Sequence, residues 1–133
     1  MFIEKLLSQG NAPLLEQVVR FSSLRHRLIA ENIANVDTPD YRQKDLSVDR
    51  FHRLLRDRVG QRGRGPVGAV RFDDIAAEVQ SPEASILFHD GNNRSMEELA
   101  TDLAKNAMMH NLAVELLRKQ YQSMEAALRE RVA

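Results

Sequence analysis

The sequence predicts a mainly α-helical chain: long N- and C-terminal helices paired as a coiled-coil-like hairpin, with an irregular middle segment that has room for short β-strands. Three observations carry this expectation. Apolar residues recur at spacings of three and four near both ends, the mark of one helix face. Aromatics are scarce, five Phe, two Tyr and no Trp in 133 residues, so burial must come from Leu, Val, Ile, Met and Ala, a helix-favouring set. The C-terminal helical pattern is also too long for a single compact globule of this size, whose diameter would be roughly 36 Å.

Residues 1–41 form the first segment. After Gly10, Asn11 can cap a helix, Pro13 falls in the first turn where its missing N–H costs nothing, and Glu16 suits the positive end of the dipole. Leu14, Val18, Phe21, Leu24 and Leu28 form the apolar stripe, continued by Ile29 and Ile33. The stop lies at Asn35-Val36-Asp37-Thr38-Pro39-Asp40, where Pro39 drives Thr38 out of helical geometry. The predicted helix is roughly 22 residues, about 33 Å.

Residues 42–89 form a variable, basic middle segment. Between Arg42 and Arg71 there are nine Lys/Arg against three Asp/Glu, whereas residues 73–133 are net acidic. Complementarity within the chain or between subunits is the expected use of that asymmetry. Leu46, Val48, Phe51, Leu54 and Leu55 suit a short strand or a helical turn, and Gln61–Gly68 reads as a Gly-rich flexible loop. Val70-Arg71-Phe72 and Ser85-Ile86-Leu87-Phe88 are candidate strands. The Arg50–Arg64 run has two Arg-Gly units and no interleaved aromatic, which favours a solvated or acid-facing surface over nucleic-acid binding.

Residues 90–133 form the long C-terminal helix. Asp90-Gly91-Asn92-Asn93 is a turn signal, and Ser95 with Glu98 has the spacing of a capping box. The stripe runs through Leu99, Leu103, Ala107, Val114, Leu117, Tyr121, Met124 and Leu128, with neither Gly nor Pro from Met96 to Arg131. Glu115/Lys119 and Glu125/Arg129 are oriented as stabilising i,i+4 pairs. Such a helix is about 54 Å long. It needs a partner along its length, and two helices alone have no true interior, so neighbouring subunits are expected to complete the burial.

No site chemistry emerges. The chain has no cysteine, which excludes thiolate metal sites and a cysteine nucleophile. His26, His52, His89 and His110 stand in no metal-ligand spacing, and Ser22, Ser23, Ser81 and Ser85 have no base at a recognisable spacing. His110 interrupts the apolar stripe and reads as a register-setting polar position. The expectation is therefore no enzyme activity, no cofactor and no metal. A zero net charge argues against a dedicated nucleic-acid partner, and no apolar run is long enough for membrane insertion. Met1–Leu7 carries charges inside what would be the apolar part of a signal peptide, so none is expected to be cleaved.

One segment is more elaborate than a helix stop requires: Asn32-Ile33-Ala34-Asn35-Val36-Asp37-Thr38-Pro39-Asp40-Tyr41. Asn35 can cap the helix, Thr38 can bond nearby backbone, and Tyr41 can fold back on the apolar face. Asn32, Ala34, Asn35, Thr38, Pro39 and Tyr41 match the pattern N-x-A-N-x-x-T-P-G-Y, and the chain resembles the bacterial flagellar axial proteins that carry it. Its short length, the Asp90–Asn93 turn and the C-terminal helix resemble the proximal rod members of that superfamily. Asp40 replaces the usual Gly, a modest penalty if the position needs a positive φ. Arg94-Ser95 replaces a common apolar–acidic pair and leaves the capping box intact.

The resemblance implies a structural subunit whose helical hairpins pack into the tube of a helical assembly, the motor drive shaft. It implies export through the flagellar type III apparatus to the periplasmic rod. The implied partners are other flagellar rod proteins, copies of the chain itself, and membrane-ring and export-gate components at the rod base. On that reading Leu14, Val18, Phe21, Leu28, Leu103, Leu117, Met124 and Leu128 hold the helical pair and its neighbours. Asn32, Asn35, Thr38, Pro39 and Tyr41 set the bend after the first helix, and Arg53, Arg56, Arg58, Arg62 and Arg64 lie in an outer region. The alternative is a non-polymerising coiled-coil adaptor or chaperone that offers its long helix to one partner.

Overall fold

The computed structural model describes residues 10–61, 85–87 and 95–132. The elements run α1 (Ala12–Ala34), β1 (Lys44–Leu46), α2 (Val48–Gln61), β2 (Ser85–Leu87) and α3 (Met96–Val132). The Gly-rich stretch from Arg62 to Gly68, the Val70–Phe72 strand, Phe88, His89 and the Asp90–Asn93 turn lie outside the described residues.

Helix α1 has 23 residues with Pro13 in its first turn. The Asn11 carbonyl accepts the Leu15 N–H at 2.9 Å, yet its side chain makes no cap bond. The reason is local: Asn11 already has helical angles, φ −79° and ψ −2°, whereas a capping side chain needs an extended residue to reach forward to the second or third amide. Helix α3 has 37 residues, about 56 Å. Its start is the expected capping box: Glu98 N–H donates to Ser95 Oγ at 3.3 Å, and Ser95 N–H to Glu98 Oε2 at 3.0 Å. Glu125 pairs with Arg129 as expected, but Glu115 reaches Arg118 at 3.2 Å instead of Lys119.

The described part of the middle segment is more regular than its composition suggests. Strands β1 and β2 pair antiparallel, with Lys44 opposite Leu87, Asp45 opposite Ile86 and Leu46 opposite Ser85. The residues after β1 form a 14-residue helix, not a strand or single turn. Ser47 starts it, its hydroxyl accepting the Arg50 N–H at 3.1 Å and its carbonyl the Phe51 N–H at 3.1 Å. Phe51, Leu54 and Leu55 then lie on one face, while Arg53 and Arg56 are exposed on the other.

Helices α1 and α3 pack along each other, antiparallel, since Ser22 meets Asn106 and His110 while Glu16 meets Tyr121. The face of α3 nearest α1 carries Leu99, Leu103, Asn106, His110, Ala113, Leu117, Gln120 and Met124, buried or half-buried. Those positions alternate by four and three, a 3.5-residue repeat that keeps one seam facing a partner helix.

The apolar core lies on the other flank of α1. Phe21 and Phe51 stack with ring centroids 4.0 Å apart and planes 4° from parallel. Leu46 and Leu55 complete the buried cluster, and Leu14, Val18, Leu24, Leu28, Val48, Leu54 and Met109 pack against it. Each fully buried Phe contributes about 2–3 kcal/mol. Helix α1 thus has two partners, α3 along one face and the β1–α2 unit along another.

Candidate assembly motif and helix faces

The turn after α1 follows from its residue types. Asn35 ends the helix: its N–H and its Nδ2 both donate to the Glu31 carbonyl, at 3.1 and 2.9 Å. Thr38 N–H donates to Asn35 O at 3.0 Å, and Thr38 Oγ1 meets the Asn35 side chain at 3.2 Å. Tyr41 N–H then closes back on Thr38 O at 3.3 Å. In that four-residue turn Pro39 holds the second position and Asp40 the third, with φ +61°. Proline second and a positive φ third are the requirements of a type II turn. The Gly that the resembled pattern carries before the Tyr is thereby explained, and Asp40 adopts the geometry that Gly would take without strain.

Asn32 is the buried centre of the motif, 2% exposed. Its Oδ1 accepts the Lys44 N–H at 3.1 Å and its Nδ2 donates to the Lys44 carbonyl at 2.7 Å. The side-chain amide therefore stands where a neighbouring strand's peptide would stand, on the edge of β1. Tyr41 folds back so that its hydroxyl donates to the same Oδ1 at 3.4 Å. Burial, then the nearby Glu31 carboxylate, raises the Tyr41 phenol above its ordinary range. Ala34 and Pro39 are exposed.

A second tie joins the same elements. Arg25 of α1 forks onto Asp45 of β1, Nε to Oδ1 at 2.9 Å and Nη2 to Oδ2 at 3.1 Å, with both side chains about nine-tenths buried. Leu46 N–H also donates to Asp45 Oδ1 at 2.7 Å. Sequence reasoning missed this pair, although Arg25 lies seven residues before Asn32, at the spacing that puts both on one helix face.

The residues expected at the helix interface separate into two groups. Leu14, Val18, Phe21 and Leu28 sit in or against the cluster shared with β1 and α2. Met124 is buried and Leu103, Leu117 and Leu128 half-buried along α3.

Polar side chains interrupt the α1–α3 seam. Asn106 Nδ2 donates to the Ser22 carbonyl at 2.7 Å, and His110 Nδ1 lies 2.8 Å from Ser22 Oγ. Ser22 Oγ is also 2.9 Å from the Val19 carbonyl, which can only accept, so both contacts are satisfied when His110 Nδ1 carries the hydrogen. His110 then acts as a donor and not as a base. With Ser22 fully buried, this serine–histidine contact is a packing interaction.

The outer face of α3 is apolar in the opposite sense. Ala100, Ala104, Met108, Leu112 and Leu116 recur every four residues and all are exposed, Met108 at 72% and Leu112 at 61%. The row rises about 24 Å along the helix. Among the described residues no group of three or more His, Asp or Glu could hold a metal ion, and no helix is long and apolar enough to cross a membrane.

No family model and no solved structure matches the chain. Curated relatives do, and they share one name. Flagellar basal body rod protein FlgB of Bacillus subtilis is 28% identical over 128 residues, 92% of this chain and 95% of that protein. FlgB of Salmonella typhimurium is 29% identical over 122 residues, 82% of this chain and 86% of that protein. FlgB of Borrelia hermsii is 25% identical over 117 residues, 80% of this chain and 87% of its own length. These matches cover 80–92% of the chain, which is thus similar to the flagellar basal body rod proteins FlgB over most of its length.

Proposed function

We propose that the chain is a structural subunit of the proximal rod of the bacterial flagellar basal body, assembling with copies of itself and other rod proteins into the drive shaft. The observation that carries this reading is the outer face of α3. Solvated helices rarely display five apolar residues in one uninterrupted row, and a surface of that kind is stabilised by covering it with another helix. The resemblance to rod proteins supplies the identity of the partner, and non-closing contacts of this type build helical assemblies.

In this reading residues 1–41 and 90–133 supply the helical pair, and residues 42–89 the outer, basic segment. Asn32, Ala34, Asn35, Thr38, Pro39 and Tyr41 act as the assembly motif by fixing how the chain leaves α1. Leu14, Val18, Phe21, Leu28, Leu103, Leu117, Met124 and Leu128 hold the subunit in the shape its neighbours meet. The base of the rod adjoins membrane-ring and export-gate components, and the chain acts in the periplasmic rod. The relatives bear the name of a rod component, a structural role and not a catalytic one.

The test is Leu112→Asp in a strain whose own copy is deleted. The side chain is exposed, so the purified variant should keep its helical circular dichroism. The expected result is loss of motility and absence of the variant from isolated basal bodies, because assembly would bury an unpaired carboxylate. Full motility with normal incorporation would refute the assignment of this face. A wild-type chain found only in a soluble complex with one partner would point to the adaptor reading.

A further inference from the structure

Asn106 is 1% exposed in a seam otherwise made mostly of Leu, Ala and Met, and only half of its amide is used. Its Nδ2 reaches the Ser22 carbonyl, while its Oδ1 has no partner among the described residues. A half-satisfied buried amide gains nothing in stability over a leucine of similar volume. Its contribution must be sought in which arrangements it forbids.

The arrangement at risk is a slip of one heptad between α1 and α3. A seven-residue shift leaves the same face of α3 turned inward, so the hydrophobic pattern does not oppose it. In one direction Leu116 would replace Met109 against the Phe21 cluster, and Leu117 would replace His110 beside Ser22. Apolar packing survives that exchange. What does not survive is the polar layer: His110 would lose the Ser22 hydroxyl, and Asn106 would face Ile29, whose branched side chain fills the room that small Ser22 leaves beside its carbonyl.

We propose that Asn106, with Ser22 as its partner across the seam, is the register lock of the α1–α3 pair. It selects one antiparallel alignment out of heptad-related alternatives that the apolar residues alone leave nearly equivalent. The lock concerns the pairing within one chain and holds whether or not the chain assembles.

The absence of native cysteine makes the register directly measurable. Ser23 and Asn111 line one cleft between α1 and α3, so Ser23→Cys with Asn111→Cys reports the native alignment. Ala30→Cys with Asn111→Cys reports the slipped one, since Ala30 lies about 10.5 Å further along α1, too far for a disulfide in the native register. Both pairs are oxidised at low protein concentration, and intramolecular cross-links are counted by mass spectrometry. With Asn106 present, the native pair should cross-link and the slipped pair should stay at background. Adding Asn106→Leu should raise the slipped product to a yield comparable with the native one. If the slipped pair stays at background in Asn106→Leu while the native pair still closes, the lock does not exist. Loss of helical circular dichroism in Asn106→Leu also overturns the proposal, because a residue that only selects register should be replaceable by leucine without unfolding.

Discussion

The side-chain amide of Asn32 bonds both polar groups of the Lys44 main chain, Oδ1 to the N–H at 3.1 Å and Nδ2 to the carbonyl at 2.7 Å. One helix residue thereby stands in for a strand, and the end of α1 is fastened to the start of β1 twelve residues later. Replacing Asn32 by Leu removes both bonds and leaves the Lys44 N–H and carbonyl facing an apolar side chain in a part-buried place. The expected cost is about 2–4 kcal/mol, from two unsatisfied groups at roughly 1–2 kcal/mol each. Asn32→Asp keeps the acceptor but sets a carboxylate against the Lys44 carbonyl, and should cost a similar amount. Urea unfolding of the full chain reads the loss, and amide exchange at Lys44 should accelerate in both variants. An unchanged midpoint in Asn32→Leu would show that the amide is not a fastening.

Asp40 holds φ +61° in the turn that follows, the one residue other than glycine with a positive φ among those described. A left-handed conformation costs a residue bearing a Cβ about 1–2 kcal/mol, less for Asp than for most. Asp40→Gly relieves that strain but gives the unfolded chain more freedom, so the net gain should be modest, about 0.5 kcal/mol. Asp40→Val should lose about 1–2 kcal/mol, since a β-branched residue tolerates this region least. The ordering Gly above Asp above Val in thermal midpoint is the check. Equal midpoints for all three would mean that the turn relaxes to another geometry.

These two residues also show what could be read from the sequence and what could not. The helix stop, the capping box at Ser95 and Glu98, and the question of a positive φ at Asp40 are local matters, decided within four residues, and residue type states them. Helix α2 was harder. Leu46 and Val48 alternate as in a strand, and only Ser47 as a cap with Phe51, Leu54 and Leu55 behind it marks a helix start. The buried roles of Arg25, Asn32 and Asn106 depend on partners 20, 12 and 84 residues away, and a polar residue on a helix gives no sign of its distant partner. The outer row of α3 is not legible in the sequence for a different reason. Two apolar stripes share that helix, and the sequence does not say which one faces α1.

Arg25 and Asp45 should behave as a pair. Each side chain is about nine-tenths buried, so removing one partner leaves the other charge stranded. Arg25→Met alone, or Asp45→Leu alone, should cost about 3–5 kcal/mol. The double replacement Arg25→Met with Asp45→Leu should recover most of that loss, because an apolar pair of similar volume needs no desolvation of charge. A double-mutant cycle on urea midpoints measures the coupling directly. Additive losses would show that the two residues act separately, and that the fork contributes nothing beyond the packing of each side chain.

The two tyrosines give the fold a signature at high pH. The Tyr121 hydroxyl donates to the Glu16 carboxylate across the α1–α3 pair, and this hydrogen bond, with burial and the carboxylate's charge, raises its phenol above the ordinary value. Tyr41 is raised as well, by burial first and by Glu31 second. In the unfolded chain both titrate near pH 10. Between that value and the raised folded one, the unfolded chain binds fewer protons than the folded chain, so stability falls as pH rises. The contribution is complete below about pH 10 and lost as pH climbs through the folded values. With no Trp in the chain, phenolate absorbance reports the two groups cleanly. The folded protein should titrate at higher pH than the same protein in urea, and Tyr121→Phe should leave one raised group and a shallower decline in stability at alkaline pH. Coincident titration curves in buffer and in urea would mean that Tyr121 is not held by Glu16 in solution, and that the N-terminal half of α1 is not anchored to α3 through this contact.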